Sequence, residues 1–117
     1  MKRKEAFADV LNLILGAWLF LSPWIAGFSG AGVPARNAWI LGVVVAIVAI
    51  AALAAFAEWE EWINLVLGLW VLGSPWVLGF AANAVAMWVH VLTGLAVAVV
   101  AAVELWMIHN APPRVTA

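Results

Sequence analysis

Four apolar runs organise the chain, roughly residues 8–28, 38–57, 62–80 and 85–106, each 19 to 22 residues long. Short polar or Gly/Pro-marked segments separate them, and none alternates strictly between apolar and polar positions. About 20 helical residues cross the ~30 Å hydrocarbon core of a bilayer, whereas β-barrel strands are shorter and alternate. Only a helix satisfies every backbone N–H and C=O within such a segment. The pattern predicts an all-α polytopic membrane protein, with four transmembrane helices in one domain covering 1–117.

A second periodicity lies over the first. Residues 12–28 and 64–80, 52 positions apart, share ten identities in seventeen places, including Asn, Gly, Trp, Ser-Pro-Trp and Gly-Phe. Most of these are not generic apolar matches, so the chain reads as an internal duplication. Repeat 1 covers about 7–57 and repeat 2 about 59–106. Phe7-Ala-Asp9-Val-Leu-Asn12 matches Trp59-Glu-Glu61-Trp-Ile-Asn64 as aromatic-x-acid-x-x-Asn. The two hairpins therefore run in the same sense, related by a pseudo-twofold axis along the membrane normal. The loop of the first is Gly/Pro-marked over 29–37, and that of the second is the shorter 81–84.

Composition agrees with a membrane protein. At 68% hydrophobic and 9% charged, with mean hydropathy +1.14, the chain lies far from soluble domains, in which about a quarter of residues are charged. It has no cysteine, hence no disulfide, thiolate nucleophile or Cys-based metal site, and its net charge of −1 gives no indication of nucleic acid. Lys2, Arg3 and Lys4 precede the first helix and Arg114 follows the last, with only Arg36 in the loop between helices 1 and 2. The positive-inside rule then puts both termini, and the short 107–117 tail, in the cytoplasm. Lys2-Arg3-Lys4 before an apolar run, with Gly30-Ala31-Gly32 after it, also fits a cleaved signal peptide. The repeat weighs against cleavage, because 12–28 matches a segment that must be retained.

Ser22-Pro23-Trp24 and Ser74-Pro75-Trp76 are the marked elements of the repeat. Pro23 stands fourteen residues after Asp9, about 21 Å up a helix rising 1.5 Å per residue. Proline removes a backbone donor and opposes helical conformation in the residue before it. The expected outcome is a broken helix that restarts as a short segment over 24–28, with Ser22 and Ser74 as N-caps. The alternative is a plain proline kink. His90 and Asn83 are candidates to satisfy freed carbonyls. Trp24, Trp39, Trp76 and Trp88 form one aromatic belt and Trp59, Trp62 and Trp106 the other, while Trp18 and Trp70 sit deeper and are expected to pack under the breaks.

Helix packing is expected from small residues. Gly94, Ala98 and Ala102 follow strict four-residue spacing, helix 2 carries Gly42 and Ala46, and Asn12/Gly16 and Asn64/Gly68 share helix faces. Such ladders let backbones approach closely in lipid. Asn12 and Asn64 are expected to face each other where helices 1 and 3 meet at the centre. Asp9 and Glu61 have two readings: carboxylates stabilised by helix N-termini, or a proton or cation site about the pseudo-twofold axis. Glu104 falls near the same boundary. His90 and His109 lie at opposite ends and cannot share a metal. No nucleophile, base and acid converge, so no catalytic, cofactor-binding or metal-ligating residue is assigned and no cofactor is expected.

The duplicated Ser-Pro-Trp, each copy followed by Gly-Phe, together with Trp39 and Trp88 at the starts of the second helices, resembles the SPW repeat family of small bacterial membrane proteins. The resemblance covers about 7–106 and implies a fold and a location, with no catalytic residue to carry over. The expected function is a non-enzymatic structural or interaction role in the bacterial cytoplasmic membrane. Its partners are the lipid bilayer and either further copies of the chain or another membrane protein. The alternative is a small transporter or channel using Asp9 and Glu61, since 117 residues in four spans match the size of small multidrug-type exporters.

Overall fold

A computed structural model describes residues 3–55 and 58–110 of the chain. It contains α1 (Arg3–Ile25), α2 (Val33–Ala54), α3 (Glu58–Val77) and α4 (Ala84–Asn110), with no strand among the described residues. The helices run up and down to make a bundle 52 Å long and 22 by 16 Å across. One end holds the connections after α1 and α3 (the loop end) and the other holds the beginning of α1 and the end of α4 (the terminal end). Lys2 and Arg114, on which the orientation partly rests, and tail residues 111–117 lie outside the described residues.

Helices α1, α3 and α4 reach beyond their apolar runs at the terminal end, whereas α2 stops at Ala54, short of residue 57. α1 starts among the basic residues at Arg3, α3 starts at Glu58, and α4 continues to Asn110, four residues past the expected limit. α2 starts at Val33, with Pro34 in its first turn, where a missing N–H has no intrahelical partner to lose. Three helices, Ala6–Ile25, Val33–Ala54 and Ala84–His109, are long and apolar enough to cross a membrane. α3 carries Glu58, Glu60 and Glu61 in its first turn, and it packs closely against α4, which keeps it at the same depth.

The distribution of side chains is the reverse of a soluble bundle. Ile14, Ile40, Ile47, Val66, Leu69 and Leu92 face outward, while Asp9, Asn12, Glu61, Asn64, His90 and Glu104 are all fully buried. Apolar exteriors are stable where the solvent is lipid, and polar groups then gather inside.

Glycines determine which helices pair. A Cβ at Gly42 would lie 2.7 Å from the Gly16 carbonyl oxygen and 2.5 Å from the Phe20 nitrogen; one at Gly94 would lie 2.6 Å from the Gly68 carbonyl oxygen and against the Leu72 nitrogen. Both contacts repeat at the 52-residue offset, so each hairpin closes backbone to backbone through one glycine pair. The hairpins then meet along α1–α4 and α2–α3, leaving α1 and α3 on a diagonal. The expectation that helices 1 and 3 meet at the centre is therefore corrected. Gly16 of α1 lies against α2, Asn12 and Asn64 are both buried, and α1 and α3 approach each other through the Asp9 and Glu61 carboxyls without close backbone packing. Of the small-residue ladder on α4, Ala98 lies against Gly68, but Ala102 is on the exposed face.

Candidate functional site

At the loop end, Ser-Pro-Trp terminates its helix. α1 continues through Pro23 to Ile25 and α3 through Pro75 to Val77. Proline at 23 withholds the N–H that would bond the Leu19 carbonyl, four residues back. The Ser22 hydroxyl donates to that carbonyl instead (2.7 Å), and the Ser74 hydroxyl donates to the Val71 carbonyl (2.8 Å). The predicted N-caps and restarted segments are thus replaced. Serine repairs the gap left by proline, so the helix continues two residues further. The chain then closes with a bond from Phe28 N–H to the Pro23 carbonyl and from Phe80 N–H to the Pro75 carbonyl, each 2.8 Å. Gly27 and Gly79 occupy the left-handed position at φ +84° and +80°. This is a Schellman-type C-cap, and glycine is the residue that adopts it without a Cβ penalty.

The two caps deliver Phe28 and Phe80 into the bundle. There they join Leu19, Val71, Leu41 and Ala86 in one buried apolar cluster. His90 stands against both rings, with centroids 4.8 Å from Phe80 and 6.2 Å from Phe28. Its Nδ1–H donates to the Ala86 carbonyl at 2.8 Å, and Asn83 caps α4 by accepting from the Ala86 N–H at 3.2 Å. Neither residue serves the carbonyls freed by proline.

Two polar contacts tie the hairpins together. The Asn37 amide donates to Ser74 Oγ (3.0 Å) across α2–α3, and the Trp18 indole donates to Thr93 Oγ1 (3.1 Å) across α1–α4. Trp18 and Trp70 are each more than a third exposed, so they face outward instead of packing under a break. Trp24, Trp76 and Trp88 at the loop end and Trp59, Trp62 and Trp106 at the terminal end are exposed as the two belts require. Trp39 is partly buried and packs on Trp24 at 5.2 Å.

The terminal end contains the main concentration of polar chemistry. One carboxylate oxygen from each of Asp9, Glu61 and Glu104 lies within 4.8 Å of the other two, and all three side chains are fully buried. The Asp9 and Glu104 carboxyls both stand against that of Glu61, and the neighbouring Glu60 adds negative charge. Asp9 and Glu61 are repeat equivalents and the structure brings them together. Glu104 was not singled out from the sequence, yet it completes the cluster from α4, where repeat 1 has Ala52. One turn deeper stand Asn12 and Asn64, fully buried, with neither amide oxygen nor nitrogen hydrogen-bonded. Outside this cluster, Glu58 accepts from Trp62 Nε1 (3.2 Å) and from His109 Nε2 (2.8 Å). Those two bonds, the Trp62 one foremost, hold the exposed Glu58 carboxyl below its ordinary range.

A lipid-facing bundle of two tandem helical hairpins, each ended by a serine-repaired proline cap, defines a small duplicated membrane protein. Residues 6–104 match the SPW repeat domain, so the chain belongs to the SPW repeat family. No curated protein and no solved structure matches it.

Proposed function

We propose that the protein is a non-enzymatic assembly or accessory component of the bacterial cytoplasmic membrane, with both termini cytoplasmic, acting through its lipid-facing surface. The observation that supports this reading is the closed loop-end interior. Leu19, Val71, Phe28 and Phe80 fill it, and serine hydroxyls occupy the carbonyls freed by proline. Ser-Pro-Trp is then a folding device, and recognition is left to the outer faces. A groove of about 370 Å³, lined by Trp18 on α1 and Trp88, Leu92 and Thr93 on α4, is one such surface. Native mass spectrometry after lipid-preserving extraction tests the reading. Multiples of the 12.5 kDa chain that Trp88→Ala dissociates are expected, or a bound membrane protein released by the same change. A strictly monomeric, partner-free protein overturns it.

A second reading, a small transporter or channel, is favoured by the meeting of Asp9 and Glu61, with Glu104 as a third acid. It requires the apolar loop-end cluster to open during each cycle. Liposome flux measurements with Asp9→Asn and Glu61→Gln test it; flux unchanged by both substitutions removes these acids from any transport mechanism.

A further inference from the structure

We propose that Asp9, Glu61, Glu104, Asn12 and Asn64 form a binding site for one divalent, calcium-sized metal cation inside the terminal end of the bundle. This goes beyond the assembly reading and does not depend on it.

Donor number supports the choice of ion. Ca²⁺ takes about six to eight oxygen ligands in flexible geometry, whereas Mg²⁺ demands near-ideal octahedral geometry and keeps several of its waters. One oxygen from each of the three carboxylates lies within 4.8 Å of the other two, close enough for a single ion to reach all three, and the two amides add further protein oxygens. Three carboxylates this close and fully buried repel one another, and ionising all of them calls for positive charge among them.

The amides are an independent observation. Asn12 lies three residues beyond Asp9 and Asn64 three beyond Glu61, so each amide stands on the same helix face as its acid. Both are 0% exposed and neither makes a hydrogen bond. A buried amide without partners is costly, and two of them placed one turn behind the same carboxylates supply neutral carbonyl oxygens to a common centre. The donor set is oxygen throughout, and the buried histidine, His90, is at the opposite end of the bundle. Such a set selects hard cations over zinc or copper. The site is also nearer one face of the membrane than the other, because Asp9 is six residues inside the start of α1 and Glu104 six from the end of α4, each about 9 Å along the helix.

Mn²⁺ uptake tests the proposal on purified full-length protein in detergent micelles, read by loss of the free-ion paramagnetic resonance signal. The expected result is one saturable site per chain, displaced by Ca²⁺ at lower concentration than by Mg²⁺. Glu61→Gln should weaken uptake at least tenfold, and Glu58→Gln, at an exposed acid one turn away, should leave it unchanged. Glu104→Ala, which introduces the residue of the equivalent position in repeat 1, is the second variant should Glu61→Gln fail to fold by circular dichroism. Absence of saturable uptake by the folded wild type overturns the proposal and leaves protons as the neutralising species. Uptake undiminished in the folded variants overturns it too, as an adventitious ion only.

Discussion

Ser22→Ala and Pro23→Ala should be strongly non-additive. Ser22 Oγ and the Leu19 carbonyl are 2.7 Å apart, and both residues are fully buried. Deleting the hydroxyl leaves a buried acceptor without a donor, because position 23 has no N–H. An orphaned buried acceptor costs roughly 1–3 kcal/mol, and side-chain hydrogen bonds in membrane proteins average nearer 0.6 kcal/mol with a maximum near 1.7. A loss of about 1 kcal/mol is therefore expected for Ser22→Ala in the wild-type background, about a fivefold change in the unfolding equilibrium. In a Pro23→Ala background the new alanine N–H reaches the Leu19 carbonyl, the hydroxyl becomes redundant, and the cost should fall within about 0.3 kcal/mol of zero. The coupling energy from the double-mutant cycle is then about 1 kcal/mol. Reversible denaturant unfolding in micelles, followed by tryptophan fluorescence, measures all four corners of the cycle. Equal costs for Ser22→Ala in both backgrounds would refute the repair mechanism and reduce the serine to ordinary back-bonding within a helix.

Other outcomes follow from the same coordinates. Gly94→Ala should destabilise the second hairpin by about 1–3 kcal/mol in the same unfolding assay, since its Cβ meets the α3 backbone, which has no rotamer to change; Gly73→Ala, with nothing within 4 Å, should gain a few tenths from helix propensity. Gly79→Ala should cost about 1–2 kcal/mol at φ +80°, whereas Gly30→Ala, at negative φ in open space, should be close to neutral. Trp18→Phe and Thr93→Val should each cost about 0.6 kcal/mol, and combining them should cost little more than either alone, because both remove one hydrogen bond between hairpins.

The four helices and the 52-residue repeat were legible because lipid imposes a minimum span length and because Ser, Pro, Trp and Gly are distinctive residues in an apolar chain. Burial of Asn12 and Asn64 was legible from their shared face with Gly16 and Gly68. The partner of that face was not, since helical periodicity identifies a face without naming the helix against it, and the close glycine pairs Gly16–Gly42 and Gly68–Gly94 had to be seen together. Of the two outcomes that proline allowed, a break or a plain kink, the helices continuing through Pro23 and Pro75 exclude the break. The preceding serine supplies the missing donor, and the sequence contained that serine in both copies. The acid cluster was under-read because its depth was judged from the ends of the apolar runs, whereas α1 and α4 extend to Arg3 and Asn110. A signal for Glu104 was available. His90, Thr93, Val97, Ala101 and Glu104 are spaced by steps of three, four, four and three residues, and all five are buried on one stripe of α4.

Ala52 and Glu104, at equivalent positions of the two repeats, bear on why the hairpins are joined in one chain. Two identical hairpins associating about a true twofold axis contribute every side chain in pairs, so any site on that axis receives an even number of acids: two or four. Three carboxylates are out of reach for such a dimer. Covalent fusion lets the copies diverge at one position while keeping the matched Asp9/Glu61 and Asn12/Asn64 pairs, and an odd count becomes possible. A gene for a single hairpin carrying the acid at position 52 would bring four buried carboxylates together, and one lacking it would bring two.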